Sequence, residues 1–160
     1  MKIKNSNLRI MKAAGMVVLF LLFCVFVYAG DDERYGTLTK IEGTTEVRIQ
    51  KQAWEAGREG MVLHAGDEIR TGKDSRAELW LDDNGKTGLV EIRPETRMSL
   101  NKLELMPGGD KETLLDVAVG RVLVRAGKLA GESKFEVRTP SSTAGVRGTV
   151  FEMAVEERKQ

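Results

Sequence analysis

From about residue 35 onward, apolar and polar side chains take turns along this chain. Glu46-Val47-Arg48-Ile49-Gln50 alternates strictly. Ala77-Glu78-Leu79-Trp80-Leu81, Leu89-Val90-Glu91-Ile92-Arg93 and Met98-Ser99-Leu100-Asn101-Lys102-Leu103 favour the same period of two, as do Arg121-Val122-Leu123-Val124-Arg125 and Lys134-Phe135-Glu136-Val137-Arg138. A period of two buries one face of a strand and wets the other, which suits antiparallel sheets. No segment beyond residue 30 sustains a 3.6-residue period. Gln52 to Gly60 could close a short helical turn, with Trp54 reading as a core plug at a loop. Glycines mark the corners at Gly43, Gly57, Gly72, Gly108-Gly109, Gly120 and Gly127. Asp82-Asp83-Asn84-Gly85 holds the Asn-Gly pair of a type I′ hairpin, so the chain should turn at Asn84-Gly85. About ten short, mostly antiparallel strands at this spacing predict an all-β fold, a β-sandwich or partly closed barrel.

The first thirty residues differ in kind. Lys2, Lys4, Arg9 and Lys12 precede an uncharged run from Ala13 to Ala29 that ends in Val27-Tyr28-Ala29. A basic flank, an apolar run and a small residue at its end describe an export signal over residues 1–29, a hydrophobic helix ahead of the β domain. Cleavage after Ala29 makes Gly30 the first residue. If kept, the run is an anchor at the lower edge of what spans a bilayer, and residues 13–29 are then the only membrane contact. Either way the domain over residues 30–160, with its core at about 35–155, is expected outside the cytoplasm, periplasmic or secreted. Cys24 lies inside the run and is the sole cysteine. The domain is therefore expected to hold no disulfide and no thiolate site. Removing the leader's four basic residues from 25 leaves 21 against 24 acidic ones, a net charge of −3. Nucleic-acid binding calls for a basic patch, and none is expected here.

The inventory for catalysis is thin. His64 is the one histidine, and no serine sits in a nucleophile-elbow context. Asp67-Glu68 and Asp82-Asp83 could serve as paired carboxylates, yet adjacent acids at turns more commonly bond to the local backbone. No enzyme, metal or cofactor is expected. The stretch Thr139-Pro140 through Val155 has glycines at 145 and 148, but a phosphate loop must lead into a helix. Here Gly148 leads into Thr149-Val150-Phe151-Glu152-Met153, which alternates. Gly148 is thus expected at a bend or bulge that lets both Val146 and Phe151 face the core. Arg147 beside it is a candidate interaction residue, since an arginine on a fixed kink is a preorganised donor.

This stretch resembles the signature that closes the FecR-family domain, roughly Phe-x-Val-x-Thr-Pro followed by Val-x-Gly-Thr-x-Phe. Phe135, Val137, Thr139 and Pro140 match its first part; Val146, Gly148, Thr149 and Phe151 match its second. Upstream, Gly66-Asp67 with Thr71-Gly72, then Ser75, Ala77 and Leu79, is similar to the family's opening block, and Gly120-Arg121-Val122 to its mid-domain turn. The resemblance covers about residues 35–155. It implies an all-β extracytoplasmic domain that binds rather than catalyses, in envelope signalling. In transport regulators of the family this domain relays a transporter's ligand state to a cytoplasmic segment that controls a sigma factor. About a dozen residues precede the apolar run here, too few for such a segment, so binding is the role expected to carry over. The partner is expected to be a protein or another envelope component, with closing strands of the domain missing or supplied by it. The alternative is a carbohydrate- or peptidoglycan-binding module. Five aromatics lie beyond the leader, Tyr35, Trp54, Trp80, Phe135 and Phe151, mostly at core-like positions.

Overall fold

The computed structural model describes residues 33–82 and 85–156. The leader residues 1–29, Asp83, Asn84 and the last residues 157–160 lie outside the described residues. The described chain is all β, a single 12-stranded sheet curled into a half-barrel. Its strands are β1 (Gly36–Glu42), β2 (Thr45–Arg48), β3 (Glu55–Ala56), β4 (Val62–Leu63), β5 (Glu68–Thr71) and β6 (Arg76–Leu81). They continue as β7 (Gly88–Ile92), β8 (Arg97–Leu105), β9 (Lys111–Ala126), β10 (Lys134–Arg138), β11 (Thr143–Val146) and β12 (Val150–Val155).

The long strand β9 organises everything else. Its first half pairs with β8 antiparallel and with β10 parallel, and its second half pairs with β7 and β12 antiparallel. One half of the sheet therefore runs β3-β2-β5-β8-β9-β10-β11, and the other β4-β1-β6-β7-β9-β12. The bend comes at Gly120, with φ +95. Leu38, Leu79, Val90 and Val122 from one half and Val47, Ile69, Leu100 and Phe135 from the other fill a common core. Period-two patterning put these residues on the inner face, and burying each contributes about 1.5–3 kcal/mol.

The sequence pattern misses part of this. β9 begins ten residues before the alternating run at Arg121, because Thr113, Leu114 and Leu115 are all buried and hide the period. Gln52–Gly60 is not a helical turn but an extended stretch containing β3. β6 and β7 do form a hairpin, but their pairing ends at Leu81 and Gly88, so residues 82–87 make a wider connection than a two-residue I′ turn. Gly85 has φ +68 and donates its N–H to the Asp82 carbonyl at 3.2 Å. The Thr87 hydroxyl donates to the Asp82 carboxylate across this connection, and both side chains belong to an ion cluster described below.

The turn after β2 uses two left-handed residues that are neither Gly nor Asn, Gln50 (φ 46) and Lys51 (φ 63), closed by the Gln52 N–H on the Ile49 carbonyl at 2.9 Å. Left-handed backbone costs an ordinary residue roughly 1–2 kcal/mol. Replacing Gln50-Lys51 with Asn-Gly should raise stability by about 1 kcal/mol in a denaturant melt.

Candidate functional site

The residues of the sequence signature turn out to sit where loops must be held. Asp67 is buried, and its two carboxylate oxygens accept the backbone N–H groups of Gln50 (2.9 Å) and His64 (2.8 Å). One side chain thereby fixes both the left-handed Gln50-Lys51 turn and the turn through Gly66. Gly66 itself donates to the Leu100 carbonyl. Thr71 is buried; its hydroxyl donates to the Arg93 carbonyl at 2.6 Å and accepts from the Thr96 N–H at 3.1 Å. Gly72 bonds Thr44 and Glu95 through its backbone. Thr96 in turn accepts the Arg121 N–H at 2.9 Å, so Thr71, Gly72 and the Gly120 bend are brought together at one corner.

The closing half of the signature lies elsewhere. Thr139 to Ser142 form the tight connection between β10 and β11, with the Ser142 N–H on the Thr139 hydroxyl at 3.0 Å and Pro140 exposed at the tip. Arg147, Gly148 and Thr149 link β11 to β12, carrying the chain from one half of the sheet to the other; Gly148 has φ +71. Val146 is buried and Phe151 half-buried against the core. The exposed Arg147 donates to the Gly131 carbonyl, a bond within the same domain.

Asp67, Glu68 and Asp82 of the two carboxylate pairs are also in structural use, while Asp83 lies outside the described residues. Asp82 accepts Arg34 Nε at 2.9 Å, Lys111 Nζ at 2.7 Å and the Thr87 hydroxyl. Arg34, 5% exposed, further donates to the carbonyls of Glu104 and Glu112 and to Thr113 Oγ1. Burial would push the Asp82 carboxyl up, but the hydrogen bonds from Arg34, Lys111 and Thr87 outweigh it and hold it below the usual range. Glu68 carries the same balance, with Arg48 and Arg97 overcoming its burial.

Glu68 leads to the most distinctive chemistry on the surface. β2, β5 and β8 lie side by side, and their outward positions carry Glu46 and Arg48, Glu68 and Arg70, and Arg97. Trp54, reached through the turn that Asp67 holds, lies over this face. The Arg70, Arg48 and Arg97 guanidinium carbons sit 4.3, 4.9 and 5.6 Å from its ring centroid. Trp54 is therefore a half-exposed surface residue and not a core plug. Planar guanidiniums stack on indole where a lysine could not, and Glu68 and Glu46 hold them through their ion pairs to Arg48, Arg97 and Arg70. Nothing local in the sequence shows this; it takes the pairing of three strands.

Beside the stack lies a groove of about 460 Å³, lined by Arg97, Ser99, Asp116, Arg138, Thr139 and Pro140 among others. Arg97 and Glu68 belong to both stack and groove. Trp80 lies on the outward face of the other half, half-buried, with Gly85 beside its ring. Among the described residues, no three His, Cys, Asp or Glu side chains gather as a metal ion would require.

The family model for FecR protein matches residues 67–160, more than half of the chain. This chain belongs to the FecR family. The match starts at Asp67, the side chain that staples the Trp54 turn, and runs through the Gly120 bend and both parts of the closing signature. Of the strands that precede it, β1 and β2 pair directly with β6 and β5 inside it, and β4 and β3 extend the same sheet by pairing with β1 and β2. No curated protein and no solved structure matches the chain.

Proposed function

We propose that this FecR-family protein is a non-catalytic binding domain of the cell envelope, acting outside the cytoplasm in envelope signalling. It recognises a protein or other envelope component through the outer face of β2, β5 and β8. The observation that carries this reading is the half-exposed Trp54 under three guanidiniums beside the groove ending at Thr139-Pro140. Tryptophan and arginine are the side chains most enriched at the energetic centres of protein interfaces. Here they are held in place before binding, which lowers the entropy cost of ordering them. The exposed Arg97 and Arg138, with the less exposed Glu68 and Asp116 beside them, supply mixed charge, which favours a partner with complementary carboxylates and cations over a uniformly charged polymer.

The signature residues Asp67, Thr71 and Gly72, by contrast, bond to backbone and shape the loops, while Thr139 and Pro140 of its closing part border the groove. A sugar-binding reading needs an open aromatic face. Three arginines already engage the Trp54 ring and Gly85 lies beside Trp80, which weighs against it.

The test is a cross-linking pull-down of the chain from its native envelope fraction, compared with Trp54→Ala and Arg97→Glu. Both variants should melt within a few degrees of the parent while partner recovery falls at least about tenfold, the effect of losing a hot-spot side chain. Unchanged recovery with both variants would remove the face from consideration.

A further inference from the structure

The far ends of the sheet are unequal. β3 and β4, which end the two halves on one side, are two residues each. Very short edge strands are a common protection against unwanted pairing. β12, at the other side, is six residues long, Val150-Phe151-Glu152-Met153-Ala154-Val155, and keeps an unbroken register with β9. It holds no proline, no lysine and no bulge, and among the described residues it pairs with β9 alone. Its inward side chains Phe151, Met153 and Val155 pack on the core but stay half-exposed, and Val150 is 63% exposed.

We infer that β12 is a homodimer interface, pairing antiparallel with β12 of a second copy about a two-fold axis at Met153. The register follows from the backbone. The Ala126 N–H bonds the Thr149 carbonyl at 3.0 Å, so position 149 and, by alternation, 151, 153 and 155 direct their backbone groups at β9. The groups of Val150, Glu152 and Ala154 therefore point away from the sheet. Residues opposite each other in an antiparallel pair must both point their groups at the partner or both away. A two-fold axis must then pass through a residue, not between two.

Side-chain chemistry chooses which residue. An axis at Glu152 sets two carboxylates directly opposite, which destabilises the pair. An axis at Met153 sets Glu152 against Ala154, Phe151 against Val155 and Met153 against itself. Every inward contact is then apolar, and the outward backbone groups of Val150, Glu152, Ala154 and Glu156 find partners. A second copy is self-complementary here in the way a two-fold interface demands.

Full-length chain carrying Cys24→Ser tests this. With Met153→Cys added, the two thiols face across a non-hydrogen-bonded pair about 4.5 Å apart at Cα, within disulfide reach. Mild oxidation should yield a disulfide-linked dimer on a non-reducing gel, and Glu152→Cys should not. Ala154→Pro removes an N–H that faces away from β9, so it should leave the strand signal in circular dichroism unchanged while sedimentation shifts from dimer to monomer. A monomeric parent chain, linkage through Glu152→Cys instead of Met153→Cys, or an Ala154→Pro chain that still sediments as a dimer each overturns the proposal.

Discussion

Gly120→Ala should lower stability by about 3 kcal/mol, a fall in melting temperature on the order of 10 °C for a domain of this size. Two costs add at this position. The backbone has φ +95, where an L side chain is strained by roughly 1–2 kcal/mol. An added Cβ would also sit 2.7 Å from the Glu95 carbonyl oxygen and closer still to Thr96. Those atoms belong to the turn that bonds Thr71, Gly72 and Arg121, so they cannot retreat without breaking the corner. Gly60→Ala is the control: its φ is +82, but nothing lies within 4 Å of the new Cβ. It should lose only the conformational part, about 1 kcal/mol. Equal melting of the two variants would show that the bend in β9 is not clamped by the Thr96 turn.

Asp82→Asn should cost about 3–5 kcal/mol, the range for removing one partner of a buried ion pair. The side chains of Arg34 and Asp82 are 4% and 11% exposed, so solvent screens them little. The loss leaves Arg34 and Lys111 facing each other across a neutral amide. Its pH dependence has a definite sign. The folded carboxyl titrates below its unfolded value, so the stabilisation is complete above the ordinary carboxylate range and is lost as pH falls through the depressed folded value. Melting of the parent chain and of Asp82→Asn should therefore converge in acid and diverge toward neutral pH. A gap that stays constant with pH would mean the cluster contributes through packing alone.

Alternation was enough to place the strands and most of the core, because Val47, Leu79, Val90, Val122 and Phe135 each sit at an apolar position in a period-two run. Order among the strands was not legible. β9 passes through Gly120 as one strand serving both halves, and Gly120 on its own reads as an ordinary corner. The left-handed Gln50-Lys51 turn was hidden because neither residue carries a turn preference; a carboxylate from a different turn, Asp67, holds it. Trp54 read as core for a similar reason. Its environment is made by Arg48, Arg70 and Arg97, which strand pairing alone makes neighbours. The Asp82 cluster joins residues 48 positions apart in the chain to Arg34, again beyond any local pattern. The family signature was legible as a signature. Of its residues, Asp67, Thr71, Gly72 and Thr139 hold turns through hydrogen bonds, while Val146 and Phe151 pack on the core.

The binding face is open to one direct measurement. A photo-cross-linking amino acid placed at Ser99, in the groove beside Arg97, and separately at Glu78, on the outer face of the other half, can be activated in the native envelope. A discrete adduct from Ser99 and none from Glu78 is the expected result. An adduct from Glu78 with none from Ser99 would contradict the assignment of the binding face.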